Sequence, residues 1–538
     1  MTASHLVSVP RPNAMADDSH LSAVPTQPML NLAGAALAHA QSQPAAPALI
    51  VGDRTWTYAG LGEVTTRVGG WLRASAGNAP RVGILASRSL ETYAGILGAA
   101  CAGGTYVPIN PRQPAARIAS ILERARLSAL IVDAAAAAHL ADSRIRGSLP
   151  PHVLTSVSPD ATGDASSAGF PVPVASDHAA YIMFTSGTTG VPKGVVVTAG
   201  NVACFLSAVR EQYGIHPGDR AGQFCETSFD VSVFEMFAAW AGGACVVVVP
   251  ESQLMAPAGF IRREKLTVWT SVPSVIAMLS RMKMLDAGMF PSLRVSFFIG
   301  EALPAKAARD WQAAAPASVV DNQYGPTEAT VACTVQRVAD PLLETPGRGT
   351  VAIGRPYPEM EAEVVGEGGR FLSDGEIGEL ALSGPQLAAG YLDDDEQTAR
   401  RFPELDHPRL GRRRWYRTGD LAYRDEAGVL HCLGRTDHQV KIMGHRVELE
   451  DLEAHLRAAS GTDAVTAIAW PVVSGNAAGV AAFVCGANVP VAAIRDRLRE
   501  LVPPYMVPRR IVEVDELPRS ANGKIDRAAL GAMLDETR

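Results

Sequence analysis

From about residue 31 to residue 434 the chain alternates short, strongly apolar runs with alanine-rich segments of helical spacing. Residues 81–86 (RVGILA), 129–132 (ALIV) and 245–249 (CVVVV) have the length of strands and no polar alternation. Between them, segments such as 95–102 and 202–213 repeat apolar residues at helical spacing. Strands without a polar face need cover on both sides, so this pattern predicts mixed, mostly parallel sheets sandwiched by helices: a large α/β core. Residues 156–177, rich in Ser, Pro, Gly, Asp and Ala, read as a surface loop.

After residue 434 the texture changes. A helix with Leu449, Leu452 and Leu456 on one face follows KIMGHRVELE. β-rich runs at 464–473 and 479–485 precede a second helix at about 491–501. Pro503, Pro504 and Pro508 end that helix, and NGKIDRAAL lies near the C-terminus. The expected organisation is a flexible tail (1–30), a core (31–434) and a small α+β unit (435–538).

Composition excludes several classes of function. Lys and Arg number 48 against 55 Asp and Glu, a net charge of −7, so no basic footprint for nucleic acid exists. No run reaches the roughly 18 apolar residues of a membrane span. The seven cysteines contain no C-x-x-C pair, which argues against a disulfide framework or a zinc site. The first thirty residues have no apolar leader, and the expectation is a cytoplasmic protein. The twelve histidines show no metal-ligand spacing; His438 and His445 are expected at the surface.

The densest chemical signal is YIMFTSGTTGVPKGV at 181–195. Glycines let the backbone turn its N–H groups toward an anion, the hydroxyls of Thr185, Ser186, Thr188 and Thr189 add donors, and Lys193 supplies a charge. The set suits a polyphosphate. It is not a Walker A loop, because five residues on from Gly187 stands Pro192, and from Gly190 stands Val195. A Ser/Thr/Gly turn alone is ordinarily a surface loop, so the assignment rests on its company.

That company resembles the adenylate-forming superfamily: acyl-CoA synthetases, luciferases and nonribosomal peptide synthetase adenylation domains. WTYAGL (56–61), AGGTYVPINP (102–111), FDVSVFEMF (229–237), NQYGPTE (322–328), GELALSGPQLAAGYL (378–392), YRTGDL (416–421), GRTDHQVKIMGHRVELEDLE (434–453), PPYMVP (503–508) and NGKIDR (522–527) follow in the order of the adenylation-domain motifs. The resemblance implies a mobile C-terminal domain hinged near Asp437. It also implies an AMP-forming ligase using ATP and Mg²⁺, in which a carboxylate attacks the α-phosphorus and a thiol then takes the acyl group.

The resemblance also implies roles. Thr185, Ser186, Gly187, Thr188, Thr189 and Lys193 would hold the β- and γ-phosphates. Glu328 would bind the metal, and Thr327 the α-phosphate. Gly300, Glu301, Ala302, Asn322 and Tyr324 would form the adenine pocket, with Asp420 and Arg435 at the ribose. Lys524 would bridge the reacting carboxylate and phosphate, where a cation lowers the repulsion between two anions. Taken alone, Asp420 reads equally as a cap or turn residue, Glu328 as an acid at a helix start, and Lys524 as a solvated charge.

An aspartate at Asp230 marks the amino-acid-activating members, where it pairs with the substrate ammonium. The family's pocket positions fall on Asp230, Val231, Phe234, Thr270, Phe297, Ile299, Gln323, Val331, Ala332 and Lys524. With only Asp230 and Lys524 charged, a charged side chain has no counterion there. The expectation is a small to medium neutral amino acid in the alanine-to-valine range, passed to the phosphopantetheine of a separate carrier protein in natural-product biosynthesis. A β-amino acid, a D-alanine–carrier ligase and, further off, an acyl-CoA ligase are the alternatives. A small activator protein is a further candidate partner; nucleic acid and membrane are not. Glu450 and Ala389 depart from the family pattern, outside the inferred catalytic set.

Overall fold

The structure, a computed structural model, describes residues 30–163, 169–186, 191–436, 439–473, 476–518 and 525–536. Two large sheets carry the core. The first orders its strands Arg355–Pro356, Thr334–Arg337, Val319–Tyr324, Val295–Phe298, Val268–Ser271, Arg220–Gln223, Cys245–Val248, Pro47–Val51 and Arg54–Thr57. The second orders Gly390–Tyr391, Lys193–Thr198, Ala179–Thr185, Thr105–Ile109, Arg81–Leu85, Ala129–Val132 and His152–Leu154. Their central strands pair in parallel and are buried on both faces, the α/β core expected from unalternated apolar runs.

The alternation of strand and helix stops earlier than the sequence suggests. Beyond the strand Val319–Tyr324, the core continues as antiparallel strands, with Asp395–Arg401 the longest helix described before residue 436. Glu361–Val365, Gly378–Ser383, Tyr416–Arg424 and Leu430–Arg435 form a third sheet, antiparallel throughout. Its strands mix buried and charged residues, so they lack the continuous apolar signature that identified the others.

The C-terminal part holds two small sheets and the helices Leu449–Ser460, Val491–Leu501 and Arg527–Glu536. Leu449, Leu452 and Leu456 face its core, as their spacing requires. No described helix is long and apolar enough to cross a membrane. All seven cysteines are free thiols.

Sheet period positions the site. Thr270, Phe297 and Asp321 stand side by side on adjacent parallel strands, and Ile299 and Gln323 lie two residues further on. All five therefore occupy one face. Trp269, Phe298 and Val320 take the other and pack with Trp311 and Phe290. Each such aromatic contact contributes about 0.5–1.5 kcal/mol beyond area burial.

Candidate active site

The parallel strands Val268–Ser271, Val295–Phe298 and Val319–Tyr324 point their C-terminal ends at one crevice, where ligands gather in α/β sheets. Residues 231–241 form one helix above it, whose middle turn, Phe234–Ala238, is of the wide π type that recurs at functional sites. Glu235 ties this helix to the strand end at Gln223. Its carboxylate accepts from the backbone of Phe224 and Cys225 at 3.1–3.2 Å, and burial pushes its pKa up to about 8.

Asp230 stands at the start of that helix, buried, with Oδ2 making no hydrogen bond. Burial pushes its pKa up to about 6, with the Thr327 hydroxyl opposing the rise and Glu328 adding to it. Asp230, Thr327 and Glu328 are thus electrostatic neighbours, although a hundred residues of chain separate them.

Phe234, on the helix that Asp230 starts, and Phe297 meet edge to face at 4.4 Å. Tyr213, unnoticed in the sequence, packs against both rings. It ends the helix Ala199–Tyr213, which Thr198 and Asn201 cap and Gly214 terminates at φ +52°. Thr270, Ile299 and Gln323 share the sheet face of Phe297, each at most 2% exposed. Val331 and Ala332 come from a loop in which Thr330 and Val331 both have positive φ (57° and 69°), a costly conformation for β-branched residues. Gln386 holds this loop: its side-chain Nε2 donates to Ala332 O at 2.7 Å, and its backbone carbonyl accepts from Thr330 Oγ1 at 2.6 Å.

Thr185 and Lys193 pair directly across the antiparallel strands Ala179–Thr185 and Lys193–Thr198. Gly187, Thr188 and Thr189 lie outside the described residues, as do Asp437 and Lys524. Thr185 Oγ1 is buried without a partner, and Ser186 Oγ donates to Arg446 O at 2.7 Å. Burial and the Arg446 charge lower the Lys193 pKa to about 8, against the pull of Glu328. Glu328, fully buried, accepts from Tyr391 Oη at 2.8 Å and from Arg446 at 3.0 Å, with Lys193 at 3.9 Å. Burial opposes its ionisation, but Arg446 and Lys193 win and hold its pKa at about 2.

Tyr324 donates its hydroxyl to Asp420, and Arg435 pairs with the other carboxylate oxygen at 2.7 Å from across the strand pair. Glu301 accepts from Ser274 N and Gly444 N, both at 2.8 Å, and burial raises its pKa. Gly300 takes φ +92° and passes close to Gly444, while Ala302 O accepts from Asn476. Asn322 projects to the opposite face and donates to Ala352 O at 2.8 Å, leaving its Oδ1 unpartnered.

The expectation for His445 is overturned. Its ring stacks on Tyr505 at 3.6 Å and meets Phe229 edge-on at 4.6 Å, because the turn carrying it docks into the core. Burial lowers its pKa to about 3. Arg446, Tyr391, Gln386 and Tyr213 are the residues that motif reading missed. The first three stand inside quoted motifs, but nothing in their spacing announces partners so distant in sequence.

Comparison with known proteins fits this geometry. The family model described as "AMP-binding enzyme" matches residues 37–392, and its C-terminal companion matches residues 451–524. D-alanine–D-alanyl carrier protein ligase of Bacillus velezensis is 30% identical over 523 residues, covering 93% of this chain and 99% of that one. Tyrocidine synthase 3 of Brevibacillus parabrevis is 34% identical over 491 residues, which span 90% of this chain but only 7% of the synthase. The Vibrio cholerae adenylation domain AlmE, solved with glycyl-adenosine-5'-phosphate, superposes with a TM-score of 0.83 at 33% identity over 96% of this chain and all of that one. With both family models matched and a ligase paralleled over nearly its whole length, the chain belongs to the AMP-binding, adenylate-forming enzymes, as an adenylation enzyme of the nonribosomal peptide synthetase type.

Proposed function

We propose that the protein joins ATP to a small or medium neutral amino acid in the alanine-to-valine range. The products are aminoacyl-AMP and pyrophosphate, and the aminoacyl group then passes to the phosphopantetheine thiol of a separate carrier protein. The observation that carries this reading is Asp230: a buried carboxylate with one oxygen unpartnered. An α-ammonium supplies the missing partner, and a charge-assisted contact of this kind contributes about 1.5–3 kcal/mol. A plain carboxylic acid would leave Asp230 unpaired.

The amino acid carboxylate attacks the α-phosphorus, and the bond to the β-phosphate breaks. Little covalent chemistry falls to the chain, so positioning and charge compensation dominate. Lys193, in a buried site, takes up phosphate charge. Asp420, already oriented by Tyr324 and Arg435, accepts from the ribose hydroxyls. Thr185 Oγ1 offers an uncommitted hydroxyl at the phosphate turn.

The residues fit a magnesium ion bound mainly through phosphate oxygens. Glu328 is a carboxylate kept ionised, and no group of three or more His, Cys, Asp or Glu side chains among the described residues could cage a metal. The ion would supply charge neutralisation of the leaving pyrophosphate. In the arrangement described here Arg446 compensates Glu328 instead. A shift of the unit 435–538 during adenylate formation would withdraw Arg446 from Glu328.

D-alanine is the second reading, favoured by the near full-length match to a D-alanine–D-alanyl carrier protein ligase. Amino-acid-dependent ATP–pyrophosphate exchange over α-, β- and D-amino acids tests both. Exchange confined to fatty or aryl acids would overturn them.

A further inference from the structure

The sheet face of Phe297 carries a hydrogen-bond chain whose direction is fixed at its far end. Arg337 pairs with the Asp321 carboxylate, which is fully buried. A carboxylate paired in this way only accepts, so the Tyr213 hydroxyl donates to it, at 2.9 Å. With its single proton committed, the Tyr213 oxygen can only accept, and it does so from Gln212 Nε2 at 3.1 Å and from Gln323 Nε2. The amide orientation of Gln323 follows: its NH₂ group faces Tyr213, and its carbonyl oxygen is left over. That Oε1 is buried and has no partner, and the same holds for Thr270 Oγ1 on the same sheet face. The Tyr357 hydroxyl lies close to Tyr213 and Gln323 but meets neither at hydrogen-bond geometry.

A buried acceptor left unpaired is costly, typically ~1–3 kcal/mol. Resting on the amino-acid reading above, we propose that the Arg337–Asp321–Tyr213 chain holds Gln323 with its carbonyl toward the pocket, so that the enzyme selects a short side chain carrying a hydrogen-bond donor. Within the alanine-to-valine size range, this singles out the hydroxyl amino acids serine and threonine over alanine and valine. Tyr213 is a positioning residue: it touches Gln323, stacks with Phe297 at 6.0 Å and meets Phe234 edge-on at 6.2 Å.

The test is ATP–pyrophosphate exchange by the full chain with two matched pairs, threonine against valine and serine against alanine. For at least one pair, kcat/KM should favour the hydroxyl member tenfold or more. Tyr213→Phe keeps the ring but frees the amide to turn, so the preference should fall toward one while exchange persists. A merely structural role would depress both members of a pair alike and leave their ratio unchanged. Gln323→Leu, read by the same ratio, should favour the apolar member and serves if the first variant fails to fold. Valine and alanine activated as well as threonine and serine would overturn this inference while sparing amino acid activation. Silence with every amino acid, and turnover on a plain carboxylic acid, would overturn the functional reading itself.

Discussion

Arg446 lies 3.0 Å from Glu328, so a cation from the C-terminal unit neutralises a fully buried carboxylate of the core. Tyr391 and Lys193 approach the same carboxylate from two further elements. One acid thus joins the paired strands Lys193–Thr198 and Gly390–Tyr391 of the core to the C-terminal strand His445–Glu448.

Arg446→Met leaves Glu328 buried with less compensation, and the loss in unfolding free energy should be about 3 kcal/mol. The wild-type Glu328 pKa lies below its unfolded value of 4.5, near 2. Its contribution is therefore complete above pH 4.5 and disappears as pH falls toward 2. Urea unfolding from pH 7 to pH 3 should show a steeper acid loss in wild type than in the variant. Parallel curves would disprove the pairing.

Asp230 behaves in the opposite sense. Its folded pKa of about 6 lies above the unfolded 3.8, so its ionisation at neutral pH opposes folding, and stability falls as pH rises through 6. Asp230→Asn should stabilise the fold at pH 7.5 by on the order of 2–3 kcal/mol and have little effect below pH 4. The same change should raise KM for the amino acid roughly tenfold to a hundredfold. In wild type that KM should climb as pH drops below 6, which initial rates across pH 5–8 will reveal.

His445, held neutral between Phe229 and Tyr505, resists protonation. Its folded pKa near 3 lies below the unfolded 6.5, so the stability it lends is full above pH 6.5 and is lost progressively toward pH 3. His445→Phe keeps the stacking without the titration. Melting temperatures at pH 7.5 and pH 5 should differ less in the variant than in wild type; equal differences would place the acid sensitivity elsewhere.

Gln386→Ala should cost about 2 kcal/mol, since it leaves buried carbonyls at Ala332 and Thr330 without their donor. Because Val331 sits on that loop, KM for the amino acid should rise while KM for ATP stays within twofold or so. Steady-state kinetics with each substrate varied separately decide this. An equal rise in both would mean the loop serves the whole crevice.

Residues with chemistry in their spacing were legible from the sequence. Asp230, Lys193, Thr327, Glu328, Asp420 and Arg435 stand in contiguous motifs, and the fold sets Asp230 near Thr327 and Glu328, Lys193 near Glu328, and Asp420 beside Arg435. The α/β core was legible too, because unalternated runs such as 245–249 leave no other way to bury both faces. Tyr213 was not, since its role arises only when the end of one helix meets Phe297 and Gln323 across the sheet face. Gln386 and Tyr391 act through partners more than fifty residues away. The third sheet escaped notice because strands such as Tyr416–Arg424 mix charged and apolar residues without clean alternation.

Thr330 and Val331 hold a backbone shape that suits neither of them, and such strain costs of order 1–3 kcal/mol per residue. An engineer diversifying position 331 to admit larger substrates will meet a confounding gain. Glycine or asparagine there relieves the chain before it enlarges the cavity. Variants recovered for robustness at that position will therefore report on backbone geometry, and only a screen normalised for folded protein will report on what the pocket accepts.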